Sequence, residues 1–361
     1  MQRRKFLKVA TGGAAASATL AAPAIAQERV DLVIVSTWGR DFPGLGTSAQ
    51  RLAARIEELT DGQIAVQYFA AGERVGAFDS FDEVASGNAN AYIAADYYWK
   101  GKHPGWAPFT AVPFGLTYTE IDAWMKFGGG QELLEKLGAE FGIRGMPCGN
   151  TGVQMGGWFN KEINSAEDLK GLKMRIPGLG GDVMAKVGAS PVSLPGGQIY
   201  ENLVSGAIDA TEWVGPWNDF FLKLYEAAKY YYWPGMHEPG SQLSMGFNAE
   251  WWGGLSDSNK RILTTACAEE NAMQAAETNY NNGVYLNRLV NEYGVELREF
   301  NDDVYEAFGD AATEVIEETR DHSPLAAEII DSFLEARSNV GAWSNLSDAP
   351  YVAKRNRYLK I

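Results

Sequence analysis

The chain has 361 residues, 46% hydrophobic and 21% charged, which excludes a disordered or collagen-like polymer and suits a folded protein of about two domains. Its 31 basic residues stand against 46 acidic ones, and a net charge of −15 repels phosphate backbones, so nucleic acid is excluded as a partner. Three histidines and two cysteines argue against a His-rich catalytic metal site and a four-cysteine zinc site.

Residues 1–26 have the character of a cleaved export signal. A basic head (Arg3, Arg4, Lys5, Lys8) precedes a weakly apolar, Ala-rich stretch, and Ala24-Ile25-Ala26 fits the small-x-small rule for a cut before Gln27. Arg3-Arg4 followed by Lys5-Phe6-Leu7-Lys8 resembles a twin-arginine signal, which predicts a periplasmic protein. The competing reading is a membrane anchor, but the apolar part is interrupted and too short for ~30 Å of hydrocarbon. Cleavage leaves 27 basic residues against 46 acidic, a balance of −19. In an oxidising compartment Cys148 and Cys267 either pair or stay as buried thiols, and their spacing does not decide which.

The mature chain opens β-α-β. Val30 to Val35 is a short apolar run, Ala49, Leu52, Ala53, Ile56 and Leu59 follow at helical spacing, and Ile64 to Phe69 is a second strand. That order predicts a parallel sheet with helices on its faces. Apolar and small residues from Phe81 to Ala95 continue the pattern. A helix over Ile121 to Phe141 must break or kink at Gly128-Gly129-Gly130. Strands are expected over Ile143 to Cys148, Gln154 to Phe159, Leu172 to Ile176, Pro191 to Leu194, Ile208 to Trp213 and Leu243 to Asn248, with helices over Asp182 to Val187 and Gln198 to Val204. Ser256 reads as the cap of one long helix to about Tyr293. Asn301 caps a second to about Arg320, and Ser323-Pro324 opens a third to about Val340. The boundaries drawn are 1–26 for the signal, 27–149 with part of 235–256 for one lobe, 150–234 for the other, and 257–361 for helices that brace the lobes or form a dimer arm.

Motifs of common enzyme classes are missing. There is no G-x-S-x-G elbow, no H-E-x-x-H and no P-loop. Gly178-Leu179-Gly180-Gly181 lacks the spacing of a dinucleotide fingerprint. His103, His237 and His322 are scattered and suit surface or hydrogen-bonded roles.

Arg175, in Lys173-Met174-Arg175-Ile176-Pro177, sits in a strand just before a turn. Such an arginine either points into a cleft, where its planar fork suits a carboxylate, or pairs with a local acid such as Asp182 from an edge strand. This segment, with Val187-Gly188-Ala189-Ser190-Pro191-Val192 and the run Tyr200 to Ala210, resembles the solute receptors of tripartite ATP-independent periplasmic (TRAP) transporters along essentially the whole mature chain. The resemblance implies a type II-like periplasmic binding protein: two α/β lobes on a hinge, with long C-terminal helices, closing on an organic acid that Arg175 grips. It also implies membrane subunits as partners.

Asn150-Thr151-Gly152-Val153-Gln154, Thr211-Glu212-Trp213-Val214-Gly215-Pro216 and Tyr97-Tyr98-Trp99-Lys100-Gly101-Lys102 resemble the branch of that family that binds 2-oxo and 2-hydroxy monocarboxylates with a metal ion. The branch implies Gln154, Glu212 and the Trp213 carbonyl as metal ligands, Asn150 and Arg175 as residues that orient the acid, and a homodimer. Electrostatics alone favours the same arrangement. A buried carboxylate beside Glu212 meets like-charge repulsion, which a hard, oxygen-coordinated cation removes. Taken alone, Glu212 reads as a solvated acid at a strand end. Tyr98, Trp213 and Trp217 are expected to wall a small dry pocket, with core packing as the alternative. Glu238 is assigned to both the acid and the metal. A second carboxylate in the shell favours Ca²⁺ over Na⁺. A metal-dependent oxo-acid enzyme using Glu212 as base is the rival reading, and a receptor for another organic-acid transport or sensing system is a second.

Overall fold

The computed structural model describes residues 29–360, so the export signal and its cleavage point lie outside the described residues. The aliphatic run at the start forms β1 (Val30–Ser36), with Leu32 and Ile34 fully buried. β2 (Ile64–Phe69) and β3 (Ala91–Ala94) pair parallel on its two sides, as the opening β-α-β pattern predicts. The helix Leu45–Leu59 between β1 and β2 buries Leu45, Ala49, Leu52, Ala53 and Ile56, one stripe at helical spacing. The triple glycine splits the next helical region into Tyr118–Phe127 and Gly130–Ala139. Gly129 takes φ +84°, a left-handed position that strains any residue with a Cβ.

The remaining strands are β4 (Ile143–Asn150), β5 (Gly157–Phe159), β6 (Lys173–Arg175), β7 (Ser190–Val192), β8 (Ala210–Thr211), β9 (Tyr230–Trp233), β10 (Gln242–Asn248) and β11 (Glu296–Glu299). They build two sheets, ordered β2-β1-β3-β10-β4 and β11-β9-β5-β8-β6-β7. Each sheet carries one lobe. The chain leaves the first sheet after β4 and returns as β10, which runs antiparallel between β3 and β4. The outgoing and returning segments hydrogen-bond to each other. Thr151 N donates to Ser241 O (3.0 Å), Gln154 N to Glu238 O (3.0 Å) and Gly156 N to Tyr232 O (2.8 Å). Backbone pairing therefore sets Gln154 opposite Glu238 between the lobes.

Ser256 caps the helix Asp257–Asn291, its hydroxyl accepting from Asn259 N at 3.1 Å. This 35-residue helix touches both lobes. Its Cys267 lies 3.8 Å from Met245 of β10, while Asn282 accepts from Trp217 N (3.1 Å) in the second lobe. The helix Asp302–Asp321 packs on Gly178–Lys186, with Lys186 bonded to Glu314 and Glu318. The helix Pro324–Ser344 returns to the first lobe, where Phe333 meets Trp124. A last helix, Asp348–Leu359, buries no residue. No helix among the described residues is long and apolar enough to cross a membrane.

Some expectations shift. Four strands, β5 to β8, are shorter than their apolar runs, and beside three of them the chain leaves the ladder to line the interlobe cavities, at Gln154, Pro195 and Trp213. β9 and β11 were not predicted. β9 is four aromatic residues with no alternation, and β11 is the charged edge strand Glu-Leu-Arg-Glu. Asn301 holds the N-cap position without a side-chain cap bond, and its amide donates to Asn164 O at 2.6 Å. Cys148 and Cys267 are buried free thiols.

Candidate functional site

The site grows from the carboxyl ends of parallel strands, where open α/β sheets place their ligands. β6 and β8 run parallel with Arg175 beside Thr211, and Glu212 N donates to Arg175 O at 3.2 Å. Arg175 and Glu212 thus emerge together. From the first sheet, the end of β1 delivers Trp38 and the end of β3 delivers Ala95, Tyr97 and Tyr98. The crossing segments add Thr151, Gln154, Glu238 and Ser241. Together they enclose a cavity of about 10 Å³ counted to a water's centre, room for roughly one water.

Arg175 is fully buried. Its Nε donates to Leu194 O (3.1 Å) and its Nη1 to Glu212 O (3.2 Å) and to the Glu212 carboxylate. Nη2 has no partner. β6 lies between β7 and β8, so Arg175 is not on an edge strand. The acid that pairs with it is Glu212 rather than Asp182, which bonds Lys100 across the lobes through both carboxylate oxygens at 2.5 Å. The fork is consequently half used: one nitrogen, not a parallel pair, faces the cavity unpartnered.

Glu212 stands behind the cavity wall. Its second oxygen lies 3.2 Å from His237 Nε2. Ligand atoms of Glu212, His237 and Glu238 all lie within 4.8 Å of one another. Burial drives the Glu238 carboxyl up to about 7, and the Glu212 charge adds to the effect. Burial opposes a charged His237, yet the hydrogen bond to Glu212 and the two glutamate charges outweigh it and raise its pKa. Burial also lifts the Tyr98 phenol to about 12.

Gln154 Nε2 donates to Glu238 (2.7 Å) and to Thr151 Oγ1 (2.9 Å). This leaves Gln154 Oε1 and Glu238 Oε1 buried without partners. Trp213 lines the cavity, its ring 5.0 Å from the Arg175 guanidinium. Two candidate residues lie elsewhere. Asn150 is buried just outside the lining, its Oδ1 accepting from Gly152 N (2.8 Å), so its amide holds the turn that presents Gln154. Trp217 packs over Gly44 between the lobes and does not wall the cavity. Sequence reasoning missed His237, Tyr97, Thr151 and Ser241. His237 adjoins the flagged Glu238, but neighbours in an extended segment point to opposite sides, so the sequence gives no reason to expect both against Glu212.

Two α/β lobes that enclose a small polar cavity at their strand ends define a two-lobed binding protein. The chain matches the model of the bacterial extracellular solute-binding protein family 7 (DctP) over residues 35–322, and it belongs to that family. It is 37% identical, over 97% of its length and 98% of the relative's, to a monocarboxylate 2-oxoacid-binding periplasmic protein of a Nostoc species. A TRAP periplasmic solute-binding protein of Colwellia psychrerythraea, crystallised with calcium and pyruvate, superposes with a TM-score of 0.88 at 40% identity, covering 90% of this chain and 99% of that one. One of Pseudoalteromonas atlantica, with sodium and pyruvate, gives 0.87 at 39% identity with the same coverage. The family is one of extracytoplasmic receptors.

Proposed function

We propose that the protein is the receptor of a TRAP transporter that captures a short 2-oxo or 2-hydroxy monocarboxylate, pyruvate- or lactate-like, with a metal ion, and delivers it to membrane subunits. One observation carries this reading. A donor nitrogen of Arg175 and the acceptor oxygens of Gln154 and Glu238 border one buried cavity, all unpartnered. Unpaired buried polar groups are costly, and a small anion with a cation satisfies both kinds.

The donor set fits a hard cation. Gln154 and Glu238 offer unpartnered side-chain oxygens, Glu212 joins them by turning an oxygen from His237 towards the ion, and the Trp213 carbonyl is the fourth ligand we assign. Two carboxylates within 4.8 Å of each other favour a divalent ion, so the ion proposed is Ca²⁺ rather than Na⁺. Its charge lets an organic anion share the dry space with two glutamates. Arg175 Nη2 donates to the acid's carboxylate, Tyr98 closes over it, and Asn150 acts indirectly by holding the Thr151–Gln154 turn. A three-carbon acid exceeds the present cavity, so entry requires the lobes to part and close again by a hinge.

The reading is capture without turnover, in contrast to the oxo-acid enzyme; incubation with pyruvate and a product assay separates the two. Export through the twin-arginine route rests on Arg3-Arg4 and the Ala24–Ala26 cleavage site. A homodimer rests on the last helix, whose Tyr351, Tyr358 and Leu359 stand exposed beside Trp343 and Leu346. Native mass spectrometry of the freshly purified protein reads dimer mass, bound acid and bound ion together. A protein carrying neither acid nor ion after supply of both would contradict the reading.

A further inference from the structure

A second cavity adjoins the first. It measures about 450 Å³ and is lined by Phe42, Ala71, Ala77, Pro195 and Leu222. Of all the residues that line the inner cavity, only Trp38 and Trp213 also border this outer groove. The two indoles come from different lobes and meet edge to face, their centroids 6.4 Å apart, so together they form a partition. Phe42 supports Trp213 from the first lobe at 6.2 Å. In the second lobe its support is Gly196, which borders only the outer groove. A Cβ at 196 would stand 2.5 Å from the Trp213 ring, inside contact distance.

We infer that the Trp213 indole, held in place by Gly196, sets the length of the acid this receptor accepts by closing the outer groove to longer hydrocarbon tails. The inference rests on the reading of the inner cavity as a 2-oxo-acid site. The polar atoms that would take the head group lie in the inner cavity. A tail that outgrows it can enter the large apolar space only past the two tryptophans. In the native chain Trp213 blocks that route and favours short acids. Removing the indole joins the two spaces, and each methylene then buried is worth about fourfold in affinity. Adding a Cβ at 196 pushes the ring from the outer side towards the inner cavity, which shortens the space further. The Trp213 carbonyl is backbone and remains in either variant.

The test is calorimetric titration of pyruvate and of 2-oxohexanoate, in calcium, into the full mature chain and its variants. The readout is the ratio of the two affinities. Trp213→Ala should raise the 2-oxohexanoate to pyruvate ratio by about tenfold or more, given three added methylenes. Gly196→Ala should lower it. Gly197→Ala adds the same carbon where nothing lies within 4 Å and should leave the ratio within about twofold. Wild-type binding with a ratio that Trp213→Ala leaves unchanged would overturn the partition alone. Binding of neither acid by the wild type would overturn the receptor reading and the partition with it.

Discussion

The Arg175 guanidinium and the Glu212 carboxylate form an ion pair with both side chains only 1% exposed, at the ends of two neighbouring parallel strands. A buried pair of this kind contributes little net stability, but losing one partner strands the other charge, a cost of about 3–5 kcal/mol. Arg175→Met should therefore destabilise the fold by about that amount in urea unfolding. Arg175→Lys keeps a charge but cannot reach Leu194, Glu212 and a ligand at once. It should weaken pyruvate binding by more than about tenfold in calorimetry. Near wild-type affinity would remove the gripping role.

Glu238 faces the same point as Glu212, and its outward oxygen lacks a partner. Glu238→Gln preserves the size of the side chain and removes one negative charge. Calcium affinity should fall by about tenfold or more, because ligand charge tunes such sites over decades. Unchanged calcium binding by calorimetry would take Glu238 out of the shell.

Lys100 and Asp182 span the cleft, one from each lobe, with side chains 31% and 44% exposed. An ion pair this open to solvent is worth up to about 1 kcal/mol. Lys100→Ala should raise the dissociation rate of pyruvate by about two- to fivefold in stopped-flow fluorescence, leaving association nearly unchanged. The difference should shrink in high salt. An unaltered dissociation rate would mean the pair does not latch the closed form.

Asp96 precedes the Tyr97-Tyr98 wall and is completely buried. Tyr92 OH donates to it at 2.9 Å, and its other oxygen has no partner. Burial raises its pKa to about 6, from the usual 3.8, despite the hydrogen bond from Tyr92 that lowers it. The folded state thus holds this proton more tightly than the unfolded chain. The resulting stability is fully present below pH 3.8 and is lost as pH rises through about 6. Asp96→Asn removes this dependence. Its stability relative to wild type should grow by up to about 3 kcal/mol between pH 4 and 7. A pH-independent difference in urea unfolding would contradict the buried-charge account.

Much of the architecture was legible in local pattern. Short apolar, β-branched runs marked β1 and β2, and the serines at 256 and 323 marked helix starts whose hydroxyls do accept from the first turn. The pairing of Arg175 was not legible, because its partner lies 37 residues on and is delivered by strand register, which no local spacing encodes. The same holds for His237, brought to Glu212 by the returning crossover. Asn150 and Trp217 carried the residue types of a binding site, yet one supports a turn and the other packs against Gly44. Type and neighbourhood in sequence identify a candidate, but the long-range fold decides whether its polar atoms reach the cavity.

The central claim is that Arg175 and an oxygen-bound cation together hold a short organic anion between the lobes. Calorimetric titration of pyruvate into chelator-stripped protein, with and without added Ca²⁺, tests it most directly. Strong binding in calcium and its loss, or a fall of about a hundredfold, without the ion is the expected result, since the acid then lies beside the buried Glu238 carboxyl with no cation between them. Equal affinity in the two titrations, or none in either, would contradict the account.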